Sequence, residues 1–344
     1  MKLTAVTPTI FVLASACGSA GGTPSDKSAG VAAEENPAAA TAANPTSFRP
    51  ETAADPNAPL VFAWPVPSRA TVRDEAVKKG VSAVTRYDIA LSKSSTEGEY
   101  LLELSDFEFL EMNGQKVTGA LAERLAPVVA VAALIPPMRI SPNGAYLGPP
   151  AGFHLDTLLR KMRKDLFKDT PAEVWQGLET MLRDPAVEAA SRKAAGDFWR
   201  AWVEAWVGFD LQAGEQAAAQ SEIPLGDGKV STASVTLWND GPDKTDPALL
   251  RLRLTSIQDN EALRNFTIAA MLKAVQGSPE AAAQMKAFSD TVRQVRISAE
   301  ITAVTERSTL RPREVFSKET TAITTADGKT RSQVQSHRYR FEWR

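Results

Sequence analysis

The longest regular pattern in this chain is strict alternation of apolar and polar side chains, which predicts β-strands with one buried face. Ala83, Thr85, Tyr87, Ile89 and Leu91 alternate with Val84, Arg86, Asp88 and Ala90. Tyr100, Leu102 and Leu104 continue the pattern; Phe107 and Phe109 resume it after a one-residue slip, which predicts a β-bulge. Asn113-Gly114 then marks a tight turn. Further strands are predicted at about 229–239, 248–257, 294–306, 313–325 and 331–343. Asp327-Gly328 is a hairpin signal between the last two, and Tyr339, Phe341 and Trp343 share one face of the terminal strand. A short strand pair around Met138-Arg139-Ile140 and Ala145-Tyr146-Leu147 is joined by the turn Ser141-Pro142-Asn143-Gly144.

Helical spacing separates these strand groups. Leu121, Leu125, Val128, Val129 and Ala132 keep one face, with Pro127 as an expected kink or break. Leu155, Leu158, Leu159, Met162 and Leu166 keep another. Thr170-Pro171-Ala172-Glu173 is a capping box, and helix is expected from there to about residue 220, broken near Asp184-Pro185 and Gly196. A helical stretch from about 260 to 293 is interrupted at Gly277-Ser278-Pro279. Strands joined by hairpins, with helices between the groups, predict an α+β fold: an extended curved antiparallel sheet with helices packed on one face. The folded part is expected over 60–344 as a single domain, with two similar halves, 60–220 and 221–344, as a weaker reading. The order of elements looks somewhat like the half-barrels of lipoprotein carriers and related lipid-binding envelope lipoproteins.

The N-terminus changes the picture. Lys2 precedes a short apolar run ending in Val12-Leu13, and small residues follow, which is the layout of a secretory signal peptide over residues 1–16. The run is shorter than the roughly 20 residues that span a bilayer. Leu13-Ala14-Ser15-Ala16-Cys17 resembles the lipobox of bacterial lipoproteins, although Ala14 stands where leucine is commonest. The resemblance covers the first 20 residues or so. It implies that Cys17, the only cysteine, carries a lipid and becomes the mature N-terminus. Ala14-Ser15-Ala16 also fits ordinary signal peptidase, which would leave Cys17 a free thiol. Gly18 in the second mature position is similar to lipoproteins sent to the outer membrane. Residues 17–59 are rich in Ala, Gly, Ser, Thr, Pro and Asn, and predict a disordered lipidated linker. A coil of that length reaches about 35 Å root-mean-square.

Composition narrows the function classes. The 344 residues are 43% hydrophobic and 23% charged, with a formal net charge of −2. Interspersed signs leave no electrostatic footprint for nucleic acid and no polybasic patch. The expected partners are the membrane, through the anchor, and an apolar ligand or an envelope protein.

Candidate chemistry is sparse. Trp199, Trp202, Val203 and Trp206 share a helix face, with Phe198 and Phe209 beside it. This face is either an aromatic platform for a ligand or partner, or, by the commoner reading, a helix packed on the sheet. His154 lies two residues before Asp156 at a helix start, with no nucleophile motif nearby; His337 reads as a core or rim histidine. Two distant histidines and one cysteine make a zinc site improbable. Asp240, Asp243 and Asp246 form an acidic loop that holds Lys244 and no glutamate at the twelfth position, a poor calcium loop. Glu103, Asp106 and Glu108 read as a solvated strand face. No catalytic constellation, cofactor motif or metal site emerges. The function expected is a membrane-tethered envelope lipoprotein acting as a non-enzymatic binding or structural module, with an envelope hydrolase of unidentified carboxylates as the alternative.

Overall fold

The computed structural model describes residues 58–344, apart from 133–134, 151–152, 154, 166, 169, 184–194, 227–228 and 275–278. Cys17, the expected leader, the expected linker as far as residue 57, and His154 lie outside the described residues. The chain forms one open, fully antiparallel sheet of 12 strands with helices, among the described residues.

The strands are β1 (Ser68–Lys78), β2 (Val81–Lys93), β3 (Tyr100–Met112), β4 (Gln115–Lys116), β5 (Met138–Ile140), β6 (Tyr146–Gly148), β7 (Gln216–Gly226), β8 (Lys229–Pro242), β9 (Leu249–Gln258), β10 (Val292–Glu306), β11 (Pro312–Thr325) and β12 (Thr330–Trp343). Their spatial order is β6-β5-β3-β2-β1-β12-β11-β10-β9-β8-β7, with β4 paired to β3. From β7 to β12 the order follows the sequence. The one distant join is β1 with β12, in a continuous register from Ala70↔Trp343 to Lys78↔Gln335.

The buried face follows the alternation: Tyr87, Ile89 and Leu91 on β2, Leu250, Leu252 and Leu254 on β9, and Tyr339 and Phe341 on β12 are all buried. Asn113-Gly114 makes the β3–β4 turn with both residues at positive φ (50° and 75°). The helices are α1 (Ala120–Ala132), α2 (Leu155–Asp165), α3 (Ala172–Leu182), α4 (residues 195–202), α5 (Glu261–Ala274) and α6 (Pro279–Thr291). None among the described residues is long and apolar enough to cross a membrane.

The structure departs from the expected elements at β1, β7 and Pro127. β1 carries Asp74 at an inward position between Val72 and Ala76, which interrupts the apolar alternation that would have announced it. β7 occupies the stretch read as the end of a long helix: its Ala217-Ala218-Ala219 run favours helix intrinsically, and pairing with β8 overrides that preference. Pro127 lies inside α1, which continues through it. The breaks expected near Asp184-Pro185 and Gly196 fall on or beside residues 184–194, outside the described residues; Gly196 itself is helical, and a Cβ there would lie 2.9 Å from the Tyr146 ring.

The main core lies between the sheet and the segment that runs from α4 through a short 3-10 turn (Glu204–Trp206) to Phe209. A strap at Leu60–Val66 closes its end, bonding to the backbone of Phe209, Gly208 and Thr309. Two satellite clusters stand apart from it. Leu159, Met162, Phe167 and Leu182 join α2 to α3, and Leu263, Val292 and Val295 seat α5 beside β10.

Candidate functional site

The tryptophan face is core. Trp199, Trp202 and Trp206 have no exposed surface. Trp199 meets Phe62 and Trp64 edge-on at 5.4 and 5.3 Å, and its indole N–H donates to the carbonyl of Gly144 at 2.7 Å. That carbonyl belongs to the turn marked by Ser141-Pro142-Asn143-Gly144. Gly144 sits at φ 83°, and a Cβ there would strike Phe62 at 2.7 Å. Trp202 packs edge-on against Tyr339 and Phe341 at 5.5 and 5.1 Å. These rings are spent on packing and offer no platform to solvent, because the sheet face opposite them is equally apolar and covers them.

A cleft of about 890 Å³ opens beside β3. Its position follows from the bulge. Arg86 pairs with Glu108 and Asp88 with Ser105, so Asp106 and Phe107 together stand opposite Tyr87. Asp106 takes the left-handed conformation (φ 55°) to make the extra residue fit. The far edge of β3 pairs with β5 only at Tyr100–Leu102 and with β4 only at Glu111–Met112. The stretch between, 103–108, lines the cleft, and α1 and α2 contribute Val129 and Met162 from across it. Ile89, Leu104, Phe107 and Ile135 complete an apolar wall, while Arg69, Arg86, Asp88, Glu103 and Glu108 form a charged rim. Arg86 is bound to Glu108 at 2.5 Å, and Asp88 lies 3.4 Å from Arg344. The arrangement can take a molecule with an apolar body and a polar end.

A left-handed Asp costs more than a glycine there. Asp106→Gly is expected to keep the bulge and raise stability by up to about 1 kcal/mol. Asp106→Val is expected to lower it by about 1–2 kcal/mol. Urea midpoints of the two variants check this.

Behind the cleft lies a buried polar cluster that the sequence did not announce. Phe107 stacks on Tyr87 at 4.9 Å. Beneath, His337 Nδ1 lies 3.1 and 3.2 Å from the two carboxylate oxygens of Asp74, with both residues buried. The His337 ring stacks on Tyr339 at 5.5 Å. Burial, and then the nearby charge of Asp74, hold the Tyr87 hydroxyl well above its ordinary pKa; Tyr339 is raised in the same way. Both phenols therefore stay protonated at physiological pH, and neither hydroxyl has a hydrogen-bond partner among the described residues. The single charged residue at an inward position of β1 was the available signal; the register sets it opposite Tyr339, diagonal to His337.

Other singled-out residues are taken up locally. Asp240 is bound to Arg253 at 3.1 Å and Asp243 to Arg251 at 2.7 Å. Asp243 also accepts from the backbone and hydroxyl of Thr245, and these bonds hold its carboxyl far below the ordinary range. Asp156 pairs with Arg183 at 2.5 Å on the rim of a second, smaller cleft of about 530 Å³ between α2 and α3. Burial pushes the Glu204 carboxyl up, against the opposing backbone N–H of Tyr146 and charge of Arg200.

No family model matches the chain, and no curated protein matches it. Among solved structures, one of lipid–protein interactions in lipovitellin is similar over 80% of this chain, with 10% identity and a TM-score of 0.35. The chain spans about a quarter of that protein's length (25%). A likeness of that extent carries no argument about fold or ligand.

Proposed function

We propose that this chain is a cell-envelope lipoprotein anchored through acylated Cys17, whose folded part is a non-enzymatic binding module holding an amphipathic, lipid-like ligand in the cleft beside β3. The observation that carries this reading is the cleft itself. Its volume, about 890 Å³, falls among those of ligand sites, and an apolar wall with a few charged groups at the rim is their usual lining. An open antiparallel sheet with helices over its apolar face is also the arrangement expected of a half-barrel of the lipoprotein-carrier kind. The cleft lies at the margin of the sheet, since the tryptophan segment fills the centre of its face. The leader and Gly18 favour the outer membrane as the site of anchoring.

The test uses dansylated undecanoic acid, an apolar chain with an anionic end. Saturable binding is expected, and Ala90→Trp, which fills the cleft from a small lining residue, should weaken it at least about tenfold, the equivalent of 1.4 kcal/mol. Absence of saturable uptake by the native protein, or unchanged uptake by Ala90→Trp with an unchanged melting temperature, overturns the site. For the anchor, Cys17→Ala should abolish incorporation of labelled palmitate and release the protein to the soluble fraction; membrane fractionation that ignores the substitution overturns it.

A further inference from the structure

The two margins of the sheet are built differently. On one side, β6 and β5 are three residues each, and β3 behind them is broken by the Asp106 bulge and flanked by α1. Short strands, bulges and covering helices are the usual protection against edge-to-edge pairing. The other margin is β7, 11 residues long. Its register with β8 is regular from Gln216 to Pro224, with no bulge, no lysine or arginine, and no proline before Pro224. Among the described residues no strand lies beyond it, and residues 216–220 make no backbone hydrogen bond except to β8. Gln216, Ala217, Ala218, Gln220 and Glu222 are exposed. Apart from the register shift after Pro224, this edge carries, among the described residues, none of the protective devices that the other margin uses.

We propose that the open edge of β7 pairs antiparallel with β7 of a second copy of this chain, about a two-fold axis through Ala219. That register aligns 216–222 of both copies: Gln216 faces Glu222, Ala217 faces Ser221, Ala218 faces Gln220, and Ala219 faces itself. The strand suits this occupant. Its only charge in that span is Glu222, whose carboxylate makes no ion pair among the described residues, so no like charges meet across the axis. Gln216 accepts from the Trp238 indole through Oε1 at 2.6 Å, which leaves its amide N–H groups to donate to Glu222 of the second copy. The alanines bring the backbones together without obstruction. A two-fold axis perpendicular to the sheet keeps the helix-bearing faces of both copies on the same side, and isologous pairing of this kind closes at a dimer.

The test is sedimentation velocity of the full chain carrying Cys17→Ser, so that neither an acyl chain nor a thiol drives association. A concentration-dependent dimer is expected. Ala218→Lys with Gln220→Lys sets two lysine pairs against each other across the axis and should weaken the dimer about tenfold. Ala218→Lys with Gln220→Glu sets lysine against glutamate in the same register and should restore it to within about threefold. Both positions are exposed, and both variants lose the same exposed Gln220 bond to Ser234, so the second variant controls for folding and the two melting temperatures stay alike. A chain that stays monomeric up to about 200 µM, well above the micromolar range of weak interfaces, overturns the proposal. So does a dimer insensitive to the lysine pair, or one that the lysine–glutamate pair fails to restore.

Discussion

Trp199→Ala is expected to lower the unfolding free energy by about 3–5 kcal/mol, a large part of the 5–15 kcal/mol that holds a typical domain together. Three losses coincide at this residue. The side chain has no exposed surface, so its whole volume becomes cavity or collapse. Its edge contacts with Phe62 and Trp64 disappear, which loosens the strap at Leu60–Val66. The Gly144 carbonyl loses the indole donor that ties the β5–β6 turn to α4. Trp202 supplies the contrast. It is as fully buried, but its indole N–H has no acceptor among the described residues. Trp202→Phe therefore removes area without orphaning a partner, and its cost should be less than half that of Trp199→Ala. Denaturant midpoints of the two variants decide this; equal costs would contradict the packing and bonding roles assigned to Trp199.

His337→Phe is expected to cost a further large amount, about 3–5 kcal/mol at neutral pH, although the ring size and the stack on Tyr339 are kept. The reason is Asp74. It is buried, and His337 Nδ1 is its nearest donor at 3.1 Å. Removing that donor leaves a carboxyl group in the sheet interior without its partner, and the penalty is that of an orphaned buried group rather than of a lost contact. The double variant His337→Phe with Asp74→Leu should recover most of the loss, because the buried carboxyl is removed together with its donor. A single variant costing less than about 1 kcal/mol, or a double variant no better than the single, would show that the pair is not energetically coupled.

Much of the sheet was legible because alternation is local. β2, β3 and β8 to β12 were each readable from their own side chains, and even the bulge at Asp106 was marked by a slip between Leu104 and Phe107. β1 was hidden by one inward carboxylate, and β7 by three alanines. The tryptophan spacing was legible as a helix face, but its two readings differed only in what lay opposite. The cleft was illegible. Its wall comes from β2, β3, α1, α2 and the turn before β5, and no spacing in the chain relates Ile89 to Met162.

The sequence by itself determined most of the strands, β1 and β7 excepted, and which face of each is apolar. Those properties depend on side chains two to four positions apart. Tertiary structure alone decided that β1 lies against β12, that Asp74 thereby meets His337, that the tryptophans are covered, and that β3 leaves a cleft while β7 leaves an edge. These outcomes depend on which apolar faces find each other across more than 200 residues of chain, as Ala70 and Trp343 do, and alternation specifies a face without naming its neighbour.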